Sequence, residues 1–231
     1  MSEQQKQPSA DLMEKSVSFI ANGEELHLTA NMIKKYISAG NEFITNEEIV
    51  LFMKTCQHQH LNPFIKDAFL VKYDKTKPAQ IITSKDAYMK RAEDHPMYEG
   101  FEAGLIIKRG DDVKEVAGAF MLDSDKLLGA WAKVYRKDKR MPIFTSVTLK
   151  EYGKSQSTWK SMPGTMLRKV ALVQACREAF PNQLGGLHTM EEMQASGAFQ
   201  SNTENTVETV QATATEVQAD APLVDIVDKE K

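Results

Sequence analysis

The stretch FEAGLIIKRGDDVKEVAGAFMLDSDKLLGAWAKVYRKDKRMPIFTSVTL, residues 101–149, decides the fold. It contains four short runs rich in β-branched and aromatic residues: FEAGLIIKR, VKEVAGAFML, LLGAWAKVYR and PIFTSVTL. Asp111-Asp112 makes a turn after the first, and the polar KDKRMP separates the last two. Runs of this length and spacing predict three or four consecutive antiparallel strands, a meander with KDKRMP as an exposed basic hairpin tip. Downstream, Pro163 fits the first turn of a long helix, GTMLRKVALVQACREAF, which Pro181 ends.

Working back from the meander, AFLVKY and AQIITS flank the polar DKTKP and predict a separate hairpin. Ser84 can cap a helix over Lys85 to Glu93, ended by His95-Pro96. Thr45 with Glu48 forms a capping box for a helix whose apolar stripe is Ile49, Phe52, Met53 and Cys56, stopping before Asn62-Pro63. Thr29 can cap a shorter helix carrying Met32, Ile33, Tyr36 and Ile37, and Leu12, Ser16, Phe19 and Ile20 share one side of a first helix. A short last helix is expected over Met190 to Ala195. The predicted fold class is therefore α+β: N-terminal helices, a central antiparallel meander and hairpin, and a long C-terminal core helix.

The chain has 231 residues, 42% hydrophobic and 26% charged, enough for one self-sufficient core. Residues 1–10 are polar without periodicity, and from about residue 200 onward the sequence is Thr, Glu, Val, Ala, Gln and Asp. Both ends are predicted disordered, leaving 11–199 as the core and 200–231 as an acidic tail. The tail's PLVDIVDKE alternates acids with aliphatics and is either a docking motif or inert solubilising sequence. Two cysteines, Cys56 and Cys176, without CxxC spacing argue against a disulfide framework. With no long apolar run and a polar N-terminus, a cytoplasmic protein without a membrane span is expected.

The net charge of −3 conceals a partition. From Ser201 on there are seven acids against Lys229 and Lys231, whereas Lys133 to Arg177 holds eleven bases against Asp138 and Glu151. Trp131, Tyr135, Phe144, Tyr152 and Trp159 are interleaved with those bases. Cations that follow phosphates and aromatic faces that receive bases are the combination that binds single-stranded nucleic acid. The competing reading is strand core beneath a solvated face, and composition alone leaves the two level. From this block alone Arg136, Lys137, Lys154 and Lys160 are candidate phosphate contacts.

Other chemistry finds little support. Cys56-x-His58-x-His60 has the residue types of a metal site, but on a helix residues two apart point in opposed directions, so His58 cannot join the others. Gly153-Lys154-Ser155 lacks the first glycine of a phosphate-binding loop, since Thr148 stands there. No nucleophile elbow, zinc-protease helix or spaced acid set appears. The expectation is a protein without catalysis, cofactor or metal.

Two segments carry a resemblance. HLNPFIKDAFLVKYDKTKPAQIITSKDAYMKRAEDHP (residues 60–96) and STWKSMPGTMLRKVALVQACREAFP (residues 157–181) resemble, in order and motif, the phage single-strand annealing proteins of the RecT and lambda beta-protein (Bet) superfamily, the lambda beta branch most closely. The resemblance implies a protein that coats single-stranded DNA, anneals it to its complement without ATP in homologous recombination, assembles into rings or helical filaments, and acts beside a 5′ to 3′ exonuclease. A host single-strand-binding protein is the expected target of the acidic tail. By matching position it assigns backbone binding to Lys66 and to Arg168, Lys169 and Arg177 of the long helix, while Trp159 packs the loop before that helix. Gly164 and Val170 stand where lambda-type members can carry basic residues, which puts some phosphate contacts in doubt. Lys169 and Arg177 are separated by eight residues, so at 100° per residue they lie within about 80° of each other and are expected to line a groove together. A non-annealing single-strand binder and a metal-dependent nuclease are the rival functions.

Overall fold

The computed structural model describes residues 15–38, 41–155 and 158–196. The predicted disordered ends, 1–10 and 200–231, lie outside the described residues. The chain is α+β, and its centre is the expected meander. Strands β5 (Tyr98–Arg109), β6 (Asp112–Ala117), β7 (Lys126–Arg136) and β8 (Ile143–Thr148) form one antiparallel sheet in the order β6-β5-β7-β8.

Alternation sorts the side chains of this sheet. Ala103, Leu105 and Ile107 of β5, Ala130, Ala132 and Val134 of β7 and Val147 of β8 are buried on its inner face. Against them lies the long helix α6 (Pro163–Ala179), with α4 (Leu149–Tyr152) and α5 (Thr158–Ser161) leading into it. Proline in the first turn supplies a pre-set φ where no N–H is needed, as the sequence predicts. Leu167, Val170, Leu172, Val173, Ala175 and Cys176 are all buried, so most of the α6 surface is covered, with Thr165 and Glu178 left exposed. Burial contributes about 1.5–3 kcal/mol for each large aliphatic side chain.

The covering elements come from before and after the sheet in sequence: α3 (Lys85–Glu93), capped by Ser84, and, after α6, the short helices α7 (Pro181–Leu184) and α8 (Met190–Ala195). The separate hairpin pairs β3 (Ala68–Val71) with β4 (Gln80–Thr83). Helix α2 (Asn46–His58) opens with the predicted capping box, Glu48 N–H donating to Thr45 Oγ1 and Thr45 N–H to Glu48 Oε2. Glu48 also accepts from the ammonium of the buried Lys72, 2.9 Å away, and from Ala79 N–H at 2.8 Å, which ties α2 to the hairpin. Burial works against its charge, but these donors outweigh it and hold the carboxyl below its ordinary value.

One expectation is corrected. The helix placed through Leu12, Ser16, Phe19 and Ile20 is strand β1 (Ser16–Ala21), paired with β2 (Glu24–Thr29). Val17, Phe19 and Ala21 are buried while Ser16, Ser18 and Ile20 are exposed, a period of two. The deciding signal is Asn22-Gly23, whose φ values of 54° and 82° make the tight left-handed turn a two-residue hairpin needs. The next helix is present but divided, α1 (Ala30–Met32) running into a π-helical turn at Ile33–Ile37. Among the described residues no helix is long and apolar enough to cross a membrane.

Candidate nucleic-acid interface

The cations named from the sequence fall into two groups. The first is engaged within the fold. Arg136 is clamped on the Asp138 carboxylate at 2.8 and 2.7 Å, donates to the Ala179 carbonyl and lies over the Phe180 ring. Arg168 donates to the Ala103 carbonyl at 3.2 Å. Lys169 meets Glu191 at 2.8 Å, and Arg177 holds Glu192 with both guanidinium nitrogens while also donating to Leu187 O. Lys169 and Arg177 do point the same way, but what they face is α8 rather than an open groove. Lys169 and Arg177 are partly buried, and each has its charge compensated by the acid beside it. Gly164 and Val170 are likewise buried: a Cβ on Gly164 would stand 3.1 Å from Leu105 Cδ1.

The second group is exposed: Lys66, Lys137, Lys154 and Lys160. Lys66 owes its position to its neighbour. Asp67 is 3% exposed and acts as a hub, accepting from Lys90 Nζ at 2.9 Å, Asn22 Nδ2 at 3.1 Å and Asn62 N–H at 3.2 Å. Asn62 in turn caps the single turn at Pro63–Ile65 through Phe64 N–H. To bring Asp67 inward, the backbone at Lys66 takes a left-handed conformation, φ 64°, which turns the lysine out.

The aromatic residues of the basic block divide by strand parity. Tyr152 and Trp159 are in the core, the tyrosine hydroxyl accepting from Gln174, and Trp159 packs before α6 as the resemblance implies. Trp131, Tyr135 and Phe144 share the sheet face turned away from α6. Lys133 joins them, cross-strand from Phe144 and with its ammonium 5.0 Å from the Trp131 ring centre. Trp131 is buried and packs beside Gly104, where a Cβ would come within 2.9 Å of the indole nitrogen and within 1.9 Å of the Val116 carbonyl. Phe144 is half exposed.

This outer face is continuous with the KDKRMP tip, where Lys137, Lys139 and Arg140 are exposed, and the exposed Lys150 follows β8 at its other end. Strand rise is about 3.4 Å per residue, so these cations bracket roughly 20 Å of sheet. Lys133, Lys139, Arg140 and Lys150 were not singled out from the sequence, although the alternation Trp131, Lys133, Tyr135 already places those three on one face. The arrangement offers exposed cations for phosphates around a partly apolar floor with π surfaces.

The remaining motifs resolve structurally. Cys56 is buried, its thiol pushed up to about 12 by that burial, and His60 Nδ1 lies 2.8 Å from the Ile20 carbonyl. Among the described residues no group of three or more His, Cys, Asp or Glu side chains is arranged to hold a metal. Gly153 closes α4, its N–H donating to Leu149 O.

A comparison with curated proteins returns no match. The profile of the RecT family matches residues 24–209, about four-fifths of the chain, and spans every element described above from β2 to α8. A match over that share of the chain shows that it belongs to the RecT family, the single-strand annealing proteins of DNA recombination.

Proposed function

We propose that this protein anneals complementary DNA single strands without nucleotide hydrolysis, holding each strand across the outer face of the sheet and the β7–β8 tip. The observation that carries the reading is the separation of the cations: on α6, Lys169 and Arg177 are paired with acids and Arg168 with a backbone carbonyl, while those on the tip are exposed and adjoin Lys133, Tyr135 and Phe144. Annealing opposes the repulsion of two phosphate backbones, and cations along the path lower that cost. Sequence readout then belongs to base pairing, and the protein contacts phosphate, sugar and the π faces of bases, which are alike enough to be sequence-tolerant. Lys66, Lys137, Lys154 and Lys160 remain the proposed phosphate contacts, joined by Lys133, Lys139 and Arg140. Lys169, Arg177, Arg168 and Arg136 hold the fold in the state described, and Lys169 and Arg177 reach DNA only if α8 leaves them.

The wider reading is a homo-oligomer in a bacterial cytoplasm, working beside a 5′ to 3′ exonuclease, with the acidic tail as a dock for a host single-strand-binding protein. The test uses two complementary oligonucleotides, one carrying a fluorophore and one a quencher, in EDTA without nucleotide. Quenching faster than that of bare DNA is expected. Tight binding of each strand with no acceleration would identify a non-annealing accessory protein, and shortening of labelled DNA with Mg²⁺ a nuclease.

A further inference from the structure

Helix α8 is held by charge more than by packing. Leu187 and Thr189 before it are buried, and the His188 carbonyl accepts from Thr83 N–H at 2.8 Å, so the chain is anchored as far as Thr189. Beyond that point the apolar anchorage ends. Of Met190–Ala195 only Glu191 is buried; its Oε1 receives the Lys169 ammonium, while its Oε2 is buried without a hydrogen-bond partner among the described residues. A six-residue helix is far below the length that sustains itself in water. What keeps α8 in place is therefore chiefly its two ion pairs, Glu191 on Lys169 and Glu192 on Arg177. A buried carboxylate with one oxygen unmet makes that seat a costly one.

The surroundings of α8 give the seat a meaning. It packs against α4, the helix that carries the exposed Lys150 and leads to the exposed Lys154. Lys169 borders an open cleft of about 510 Å³ lined by the partly exposed Phe69, by Val71 and Ile82, and by Met190 of α8 itself. Arg177 grips Glu192 with both terminal nitrogens, a fork that fits a phosphate as well as a carboxylate. Two acids thus occupy two cations that lie beside a cationic surface.

We propose that α8 is an acidic latch. In the free protein Glu191 and Glu192 stand where phosphates would, and a bound single strand displaces them, lifting Met190–Ala195 and adding Lys169 and Arg177 to the DNA path. The proposal rests on the DNA-binding reading above and adds a regulated step to it. A strand already held at the tip and by Lys150 brings its phosphates to α8 at high local concentration, the condition under which a tethered competitor is displaced. Phosphates seated there release the strand's counterions, and the freed carboxylates regain water. Engagement of the long helix then follows capture at the tip.

Hydrogen exchange on the full wild-type chain reads the latch directly, free and saturated with a single-stranded oligonucleotide whose binding is followed separately by fluorescence anisotropy. The amides that close α8, Met193 N–H on the Thr189 carbonyl and Ser196 N–H on that of Glu192, are expected to exchange faster in the complex. Unchanged or slower exchange there at saturation overturns the latch and leaves DNA binding standing. An oligonucleotide that does not bind overturns both. The second arm is Glu191→Gln with Glu192→Gln, which keeps the shape of both side chains and the capping box at Thr189, where glutamine also serves, and removes the charges. Affinity for the oligonucleotide is expected to rise by about tenfold, because the closed state no longer competes. Acids with a purely structural role predict the opposite sign, so affinity equal to or below that of the wild type overturns the proposal.

Discussion

Asp67 and Lys66 are neighbours in a motif whose resemblance points to DNA, yet only the lysine is placed to touch it. Asp67 holds three donors from three separate segments, and Asp67→Asn leaves the Lys90 ammonium without its partner and forces at least one of those bonds to break. The expected cost is about 2–3 kcal/mol in urea unfolding, with affinity for DNA falling only as far as folding does. The sequence shows that a charged pair sits after a turn; it cannot show which member turns inward, because that depends on Asn22 and Lys90, far away along the chain. Asp125 is a second inward acid. Arg109 grips it at 2.7 Å through two nitrogens, Leu122 N–H adds a third bond, and its carboxyl is held at about 2. A depressed carboxylate stabilises fully above its unfolded value near 4 and loses that contribution as pH falls toward 2. Melting temperatures between pH 5 and 2 should therefore fall more steeply in the wild type than in Asp125→Asn, and parallel curves would show that the pair adds nothing.

At the scale of elements, the meander, the second hairpin, α2, α3 and α6 were legible because each carries its own punctuation: a capping box, a serine cap, a proline at either end. The N-terminal hairpin was not, since Phe19 and Ile20 next to Ser16 fit a helical face as well as a strand, and the Asn22-Gly23 turn that decides the matter lies just outside that window. The α6 cations were half legible. Periodicity gave the shared arc of Lys169 and Arg177, but their partners Glu191 and Glu192 lie in a helix separated from α6 by α7 and a loop. Replacing Lys169 and Arg177 with Gln strands two largely buried carboxylates. The double variant is expected to melt earlier, by an amount equivalent to about 2–4 kcal/mol, rather than to lose DNA contacts at constant stability. Unchanged melting with a reduced salt slope would return both residues to the DNA surface.

Over the whole molecule, the charge that matters is displaced from where the count puts it. Eleven bases between Lys133 and Arg177 read as one block, but the fold consumes four of the eight candidate contacts as internal ties. Affinity for single strands should then depend on the tip. Lys137→Gln, Lys139→Gln and Arg140→Gln together are expected to lower the slope of log affinity against log salt by about 2, some 0.7 per phosphate contact, alike for all sequences and without a change in melting temperature. A slope equal to that of the wild type would move the DNA path off this face.

The left-handed turn at Lys66 has one more consequence. A lysine at φ 64° stands in a conformation that disfavours every side chain by about 1–2 kcal/mol and glycine hardly at all. Lys66→Gly should thus gain up to about 1 kcal/mol, after glycine's greater freedom in the unfolded chain is set against the relief. The same change removes a cation from the proposed DNA surface, so affinity should fall while the melting temperature rises. Lys66→Ala, which keeps the strained backbone and loses the charge, should lose affinity with no such rise. Opposite signs in one variant and not in the other are the mark of a position where stability has been traded for binding.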